Sequence, residues 1–413
     1  MPNTDLELQS YHTLCLILSE CADQACTQPC AEPSRSDGRS VVWDTFTQND
    51  WEGFHQTAYT QGVAPLIHWI SKHGNAHLDR HLPADVKDQF AKDYYNTLAS
   101  NLIIYNELGR ILNALQEADI PVIVLKGAAL AATLYEDIGL RPMGDLDLLV
   151  PLGNLEQAEG IVERSGYRLE GSLQGLSPGL RHLVHYEANY DKEGHTPIHL
   201  ELHWNLIGGK GSRYQPRIEW FWEQTSELIT ENRQLSASGD QWLTLKPTAH
   251  LLYLAAHLKH KHAGHEERLI WYYDIHQMVK RWGKRLNWDL LASRAAEFGW
   301  ASYVHEALRG AAERLGTPVS ESILETFRDK TPSNGQEQAK IPASSTNRFG
   351  DTLQELATLN WPARLRLILT LIFPSPGYIR WRYNPSPPWT WPLWYPYRWV
   401  DVFREGWNYL ANK

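Results

Sequence analysis

Apolar residues recur at helical spacing towards both ends of this chain and predict helical regions there. One long amphipathic helix is expected from Pro83 to about Ala118, with its proline in the first turn and a buried stripe along its length. Shorter helices are expected within residues 5–24 and 51–71, and further helices from residue 243 to about residue 328. The pattern therefore predicts helices on either side of the segment at 119–240.

The pattern changes between residues 122 and 150, where two strand-like runs enclose a short helix. Residues 122–125 are four aliphatic residues in a row, which is typical of a strand buried on both faces. Lys126-Gly127 interrupts this run, and a helix is expected from about Ala128 to Tyr135. A second strand is predicted from Asp145 to Val150.

Two aspartates on the second strand indicate a metal site. Asp145 and Asp147 share one face because strand side chains alternate, while Leu146 and Leu148 point to the core. Neighbouring carboxylates repel each other, and a hard cation such as magnesium makes the pair tolerable by taking oxygen ligands from both.

A later hairpin is predicted to bring a third carboxylate to the aspartates. Residues 182–191 alternate towards a strand, and residues 197–204 return as its partner. Glu201 is the third candidate, and it shares its face of the strand with His199 and His203. Either histidine is the alternative ligand.

These motifs resemble the uncharacterised nucleotidyltransferase family, a bacterial branch of the DNA polymerase beta superfamily. The resemblance lies in Leu-Lys-Gly at 125–127, the helix with Tyr135, Arg141, and Asp-Leu-Asp-Leu-Leu-Val at 145–150, and extends more loosely from about Trp51 to the C-terminus. It implies an α+β fold: a polymerase-beta-like nucleotidyltransferase core, with a mixed sheet and helices, between N-terminal helices and a C-terminal helical domain.

The resemblance also implies a reaction, in which an acceptor hydroxyl attacks the α-phosphorus of a nucleoside triphosphate such as ATP. Two magnesium ions, with manganese as a substitute, would be held by three carboxylates, those of Asp145, Asp147 and Glu201. Lys126 and Arg141 would contact the phosphates, with Gly127 at the turn and the backbone N–H groups of the next helix binding the same anion. The acceptor stays open among a small molecule, a protein side chain and an RNA end.

Two residues leave alternatives open. Ala128 stands where the superfamily usually has serine or glycine, which favours a non-catalytic binding or interaction protein that keeps the fold. Arg141 has two interpretations, as a phosphate contact or as a salt-bridge partner that holds the aspartates in place.

Histidines and cysteines raise the question of zinc. A run of five histidines, His250, His257, His260, His262 and His265, would suit a zinc-dependent hydrolase. Histidines on helices more often pack or hydrogen-bond, and we favour that interpretation. The four cysteines, Cys15, Cys21, Cys26 and Cys30, include no Cys-x-x-Cys pair, so we expect no zinc site there.

Composition and the resemblance together predict six segments along the chain. They are an N-terminal helix and flexible linker at 1–40, a helical region at 41–118, the nucleotidyltransferase core at 119–240, a helical domain at 241–328, an exposed loop at 329–350, and an aromatic-rich segment at 351–413.

Charge and hydropathy limit the partners of the chain. The formal net charge of -9 argues against a general nucleic-acid binder. No charged-then-apolar leader opens the chain, and the apolar run at 367–373 is too short to form a transmembrane segment, so a cytoplasmic location is expected. The aromatic and basic tail from residue 361 is interpreted as a clasp around the helical domain, with a membrane surface and single-stranded nucleic acid as alternatives.

Overall fold

The computed structural model describes most of the chain. The described residues are 4–20, 43–73, 76–170, 173, 181–182, 185–194, 196–208, 214–228, 242–261, 267–329 and 361–411. The predicted linker at 27–40, most of the polar loop at 329–350, three of the cysteines (Cys21, Cys26 and Cys30) and two of the histidines (His262 and His265) lie outside them.

Helices form at both ends of the chain and between the strands. In chain order they are α1 (Thr4–Glu20), α2 (Gln48–Thr60), α3 (Ala64–His73), α4 (Ala76–His81), α5 (Ala84–Gln116), α6 (Lys126–Leu134), α7 (Leu155–Arg164), α8 (Ile218–Glu223), α9 (Pro247–Lys261), α10 (Leu269–Trp282), α11 (Trp288–Glu297), α12 (Ala301–Leu315), α13 (Glu321–Asp329), α14 (Trp361–Ile372), α15 (Pro376–Tyr383) and α16 (Tyr395–Ala411).

A mixed seven-stranded sheet lies between these helices. Its strands are β1 (Ile123–Val124), β2 (Asp145–Leu149), β3 (Arg168–Leu169), β4 (Glu187–Lys192), β5 (Ile198–His203), β6 (Thr225–Leu228) and β7 (Trp242–Leu245). Their order across the sheet is β3-β4-β5-β2-β1-β7-β6. β2 pairs antiparallel with β1 and parallel with β5, so the two strands that bear the candidate carboxylates are direct neighbours.

The main elements predicted from the sequence are present, with small shifts at their ends. The long helix α5 begins directly after Pro83, as expected for a residue that fixes its own φ and lacks an N–H group. β4 and β5 form the predicted antiparallel hairpin, although β4 begins at Glu187, five residues later than predicted. Helix α6 begins at Lys126, two residues earlier than predicted, and β2 ends at Leu149, one residue earlier. The α+β prediction is confirmed, whereas the six segment boundaries stay predictions.

Strand alternation divides the sheet between two hydrophobic clusters. One cluster packs the second half of α5 with α6 and α7 against one face, and takes four leucines from the acidic strands: Leu146, Leu148, Leu200 and Leu202. Leu149 belongs to the other cluster, which contains residues of the N-terminal helices and of α9 to α12. Asp145 and Asp147 share the Leu149 face. The carboxylates therefore point towards α9 and α10.

The aromatic tail differs from the expected clasp. Its large rings at Trp361, Trp389, Phe403 and Trp407 are 72%, 72%, 80% and 73% exposed, so they do not receive the cover that a clasp requires. Its buried apolar side chains among the described residues are Leu367, Pro374, Ile379 and Pro385. Among all the described residues of the chain, no helix combines the length and the apolar character needed to cross a membrane.

Candidate active site

Parallel pairing of β2 with β5 assembles the predicted carboxylates. In this register Asp147 lies opposite Glu201, and Asp145 lies opposite His199. Asp147 is almost fully buried, with 1% of its side chain exposed, and Glu201 retains 15%. The side chain of His199 instead pairs with Asp191 at 2.5 Å, and it is well exposed.

Two lysines neutralise much of the charge of this cluster. The Nζ atom of Lys126 lies 2.5 Å from Oδ1 of Asp147 and 3.1 Å from Oε2 of Glu201. Lys261, on the last turn of α9, reaches Glu187 at 2.9 Å and Glu201 at 3.1 Å. Burial alone would lower the pKa of Lys126, but the negative charges around it, led by that of Asp147, hold this pKa well above its ordinary value. The carboxylates therefore already have cationic partners within the protein.

His203 is the buried centre of the cluster. Its Nε2 atom lies 3.1 Å from Asp147 and 3.4 Å from Glu201, and its Nδ1 atom lies 3.3 Å from Glu187. Burial opposes protonation, but hydrogen bonds to Asp147 and Glu201 and the charge of Glu187 outweigh it and raise the pKa of His203 to about 9. In this arrangement the imidazolium is stabilised and holds the carboxylates in position.

One group of side chains in the described part of the chain meets the geometric requirement for a metal ion. Asp147, Glu201 and His203 each offer a ligand atom within 4.8 Å of the others. Oδ2 of Asp147 is buried and receives no hydrogen bond from any described residue, so it has a lone pair available for a cation. Carboxylate oxygens suit magnesium and manganese, and a neutral imidazole would extend the range to softer metals. These residues fit a divalent cation.

Asp145 lies at the first position of β2, outside that three-residue group. The negative charge of Asp147 is the main influence on it and, together with burial, raises the pKa of Asp145 to about 6. The repulsion expected between the two aspartates is thus present, and it raises the pKa of the more exposed partner, Asp145.

Arg141 has a partner that sequence reasoning did not consider. Its guanidinium forms a bidentate ion pair with Asp274 of α10, with Nη2 at 2.8 Å from Oδ2 and Nε at 3.1 Å from Oδ1. The hydroxyl of Tyr135 donates to the same carboxylate at 2.6 Å. The salt bridge of Arg141 is therefore made to α10, not to the aspartates of β2.

The backbone at the start of α6 is shaped around these groups. Lys126 has φ of +39°, a left-handed conformation that non-glycine residues seldom adopt and that often marks functional sites. A Cβ atom on Gly127 would lie 2.9 Å from Nη1 of Arg141, so a side chain at this position would require the guanidinium to shift. Ala128 is buried, and its carbonyl accepts a hydrogen bond from Tyr105 at 2.6 Å.

The three described histidines of the run lie on α9 and have different surroundings. His250 is buried, and burial, with the charge of Arg141, lowers its pKa to about 4. Burial also lowers the pKa of His260 to about 4, and its ring lies beside Tyr214 and Tyr303. His257 is the one of these three that lines a cavity at the acidic cluster.

That cavity has a volume of about 270 Å³. Its lining includes the predicted residues Lys126, Gly127, Arg141, Asp145, Asp147 and Glu201, together with Lys261, Arg268 and Asp274. Sequence reasoning missed Glu187 and Lys261 as parts of the cluster. Glu187 lies opposite His203 in the β4–β5 register, so counting along the hairpin would have found it; Lys261 had no comparable pattern.

A strand, a glycine turn, a helix and paired carboxylates on neighbouring strands of a mixed sheet define the nucleotidyltransferase class. The chain belongs to the family described as "Uncharacterised nucleotidyltransferase", whose model matches residues 47–316. The fold is accordingly the α+β fold with a polymerase-beta-like nucleotidyltransferase core.

Two solved structures are similar to this chain. JHP933 from Helicobacter pylori is 13% identical, with a TM-score of 0.29, and the match covers 56% of this chain and 88% of that one. An antigenic nucleotidyltransferase-like protein from Paracoccidioides brasiliensis is 14% identical, with a TM-score of 0.32, and the match covers 57% of this chain and 93% of that one. No curated protein matches the chain.

Proposed function

We propose that this protein transfers a nucleoside monophosphate from a nucleoside triphosphate to an acceptor hydroxyl. The observation that supports this most directly is the register that sets Asp147 opposite Glu201, beside the N-terminus of α6 and Lys126. The hydroxyl oxygen forms a bond to the α-phosphorus, the bond from that phosphorus to the β-phosphate oxygen breaks, and pyrophosphate leaves. The hydroxyl proton is released to water.

The protein's own residues have distinct parts in this proposal. Asp145, Asp147 and Glu201 hold two magnesium ions, for which manganese can substitute. When bound, these ions neutralise charge that develops on the phosphates and the attacking oxygen. Lys126 turns from the carboxylates to the triphosphate, and the free N–H groups of the first turn of α6 bind the same anion. Gly127 leaves room for Arg141, which lines the cavity while Asp274 fixes its orientation.

The test is transfer of label from α-phosphate-labelled nucleoside triphosphates, incubated with magnesium, the full chain and a cell extract. We expect a labelled acceptor and release of pyrophosphate, both reduced at least about 100-fold in Glu201→Gln, because a ligand is lost from the metal that would stabilise the charge on the reacting phosphate. His199→Gln is the matched control, since His199 is on the same strand but pairs with Asp191 at the surface. Equal transfer by Glu201→Gln would remove Glu201 from the mechanism.

A non-catalytic binding protein is the second candidate. Its support is the position of the Lys126 ammonium, which contacts both Asp147 and Glu201 where a cation ligand set would need their oxygens. Ala128, in place of a hydroxylated residue, adds to this support. Magnesium-dependent binding of a triphosphate without label transfer to any extract component would favour this candidate.

A further inference from the structure

A second, larger cavity adjoins the acidic site. It has a volume of about 840 Å³, lies between α2 and α5, and shares Pro142 and Arg268 with the cavity at the carboxylates. Small-molecule sites commonly have volumes of about 300–1,000 Å³. We refer to this cavity as the α2–α5 cleft.

The wall from α5 is a polar stripe at helical spacing. Its members lie three or four residues apart and so share one face of the helix. They are Gln89, Lys92, Asp93, Asn96, Thr97, Ser100 and Asn101. The facing wall from α2 is formed by His55, Gln56, Tyr59 and Thr60. Neutral amide and hydroxyl groups therefore outnumber the charged groups among the polar side chains of the cleft.

Among the described residues, the lining of the cleft has few charged groups, and its one carboxylate, Asp93, is paired with a histidine. His55 contacts Asp93 at 2.7 Å, and the Nε atom of Arg268 donates to the Thr60 carbonyl at 3.0 Å. Lys92 is the other cation of the lining. Binding of a nucleic acid needs several lysines or arginines along the phosphates, so this lining fits a neutral polar molecule better than an RNA end.

Asn101 anchors the α5 wall of the cleft to the segment that precedes β2. Its side chain is fully buried, and its Nδ2 atom donates to the carbonyls of Ile138 at 2.5 Å and Arg141 at 2.9 Å. Its Oδ1 atom is buried and receives no hydrogen bond from any residue in the described ranges. An unsatisfied buried acceptor is costly, and the two hydrogen bonds of Nδ2 keep the side chain in the wall of the cleft in spite of that cost.

We propose that the α2–α5 cleft binds the acceptor substrate as a small, neutral, polyhydroxylated molecule of the sugar or polyol class. Each hydroxyl both donates and accepts, as do the amide and hydroxyl side chains that face it. The identity of this molecule as acceptor rests on the proposed function. One of its hydroxyl oxygens bonds to the α-phosphorus of the triphosphate, pyrophosphate leaves, and the hydroxyl proton goes to water.

Binding is tested first, without nucleotide, by saturation-transfer NMR on the full chain with a mixture of neutral monosaccharides and of cyclic and acyclic polyols. We expect transfer to at least one compound in the wild type, and loss of it in Ser100→Trp, whose indole fills the cleft. Ala99→Trp is the matched control, because Ala99 is the exposed neighbour on α5 and does not line the cleft.

A second, milder pair of variants keeps the binding test valid if Ser100→Trp fails to fold. Asn96→Leu removes an amide from the cleft wall, and Asn113→Leu removes an exposed amide further along the same helix. The first should weaken binding about 10-fold, as expected for one lost hydrogen bond, and the second should not. No transfer to any compound in the wild type, or equal transfer in Asn96→Leu, overturns the proposal.

The label-transfer assay then tests whether the molecule bound in the cleft is the acceptor or the nucleotide. Label on the bound polyol supports both proposals. If the polyol binds but label appears on RNA or protein, the acceptor assignment is overturned and the proposed function stands. If the polyol binds and nothing is labelled, the proposed function fails while the cleft remains a polyol site. If Ser100→Trp loses triphosphate binding and ATP displaces the polyol, the cleft holds the nucleoside and the proposal is overturned.

Discussion

The ammonium nitrogen of Lys126 lies 2.5 Å from Oδ1 of Asp147, at the point where the first turn of α6 meets the centre of the acidic strand β2. This contact joins the proposed phosphate-binding group to a proposed metal ligand. A lysine in this position either moves to the triphosphate when nucleotide and metal arrive, or remains as a permanent internal counter-ion.

Lys126→Met distinguishes these two roles. If Lys126 contacts the triphosphate, the variant should bind magnesium-ATP about 10- to 100-fold more weakly, because a hydrogen bond to a charged group is lost. Lys192→Met is the matched control, since Lys192 is a partly buried lysine on β4 that pairs with Glu107 at 2.6 Å. Calorimetric titration measures both. Tighter binding of the metal with unchanged binding of ATP would instead favour the non-catalytic candidate.

Asp147→Asn should abolish magnesium-dependent transfer and also lower stability. Repulsion from Asp145 alone would predict a gain in stability for the metal-free protein, but Asp147 is the buried partner of Lys126 and His203. Removing its charge should lower the free energy of unfolding by up to about 3 kcal/mol. Glu201 limits this loss because it remains a partner of Lys126. Denaturant unfolding without metal measures this; a more stable variant would show that repulsion dominates.

His203→Gln should weaken binding of a divalent cation by about 10-fold, the range found when a residue that orients metal ligands is lost. The physical reason is that His203 contacts Asp147 and Glu201 together, whereas His199 contacts neither. Manganese binding can be followed by paramagnetic relaxation of water protons. His199→Gln should bind like the wild type, and equal affinity in all three proteins would count against a site at this cluster.

The free energy of unfolding of Asp274→Asn should be about 3–5 kcal/mol lower than that of the wild type, because the substitution leaves the buried guanidinium of Arg141 without its counter-ion. The matched control is Glu193→Gln, which breaks an ion pair with Arg168 whose partners are 88% and 80% exposed. That variant should unfold at the same denaturant concentration as the wild type. A small effect of Asp274→Asn would mean that water can reach and solvate Arg141.

Stability should fall as the pH drops from about 6.5 towards 4, in part because of His250. Burial, with the charge of Arg141, lowers the pKa of His250 to about 4 from its ordinary value of 6.5. Between these values the unfolded chain binds a proton that the folded chain does not, so acid favours unfolding. His250→Gln should reduce the slope of unfolding free energy against pH by at most about 1.4 kcal/mol per pH unit. Parallel slopes for the two proteins would contradict the buried neutral state.

The sequence by itself determined the local parts of this site. Strand alternation placed Asp145 and Asp147 on one face of β2, and the hairpin pattern placed Glu201 on β5, because both depend on backbone periodicity within a few residues. The parallel pairing of β2 with β5, which sets Glu201 beside Asp147, is a long-range contact. The strand-Lys-Gly-helix order likewise follows from the run of aliphatic residues and its interruption. The exact start of α6 at Lys126 does not follow from the sequence, because the left-handed φ of Lys126 is set by its surroundings.

Only the tertiary structure decided which side chains complete the site. Arg141 and Asp274 are 133 positions apart, and Lys261 is 60 positions from Glu201; no spacing along the chain relates them. These contacts exist because α9 and α10 pack over the acidic face of the sheet and carry a lysine and an aspartate to it. The α2–α5 cleft has the same origin. A polar stripe on one helix looks like a solvated face in sequence, and becomes the wall of a cavity only where a second helix faces it.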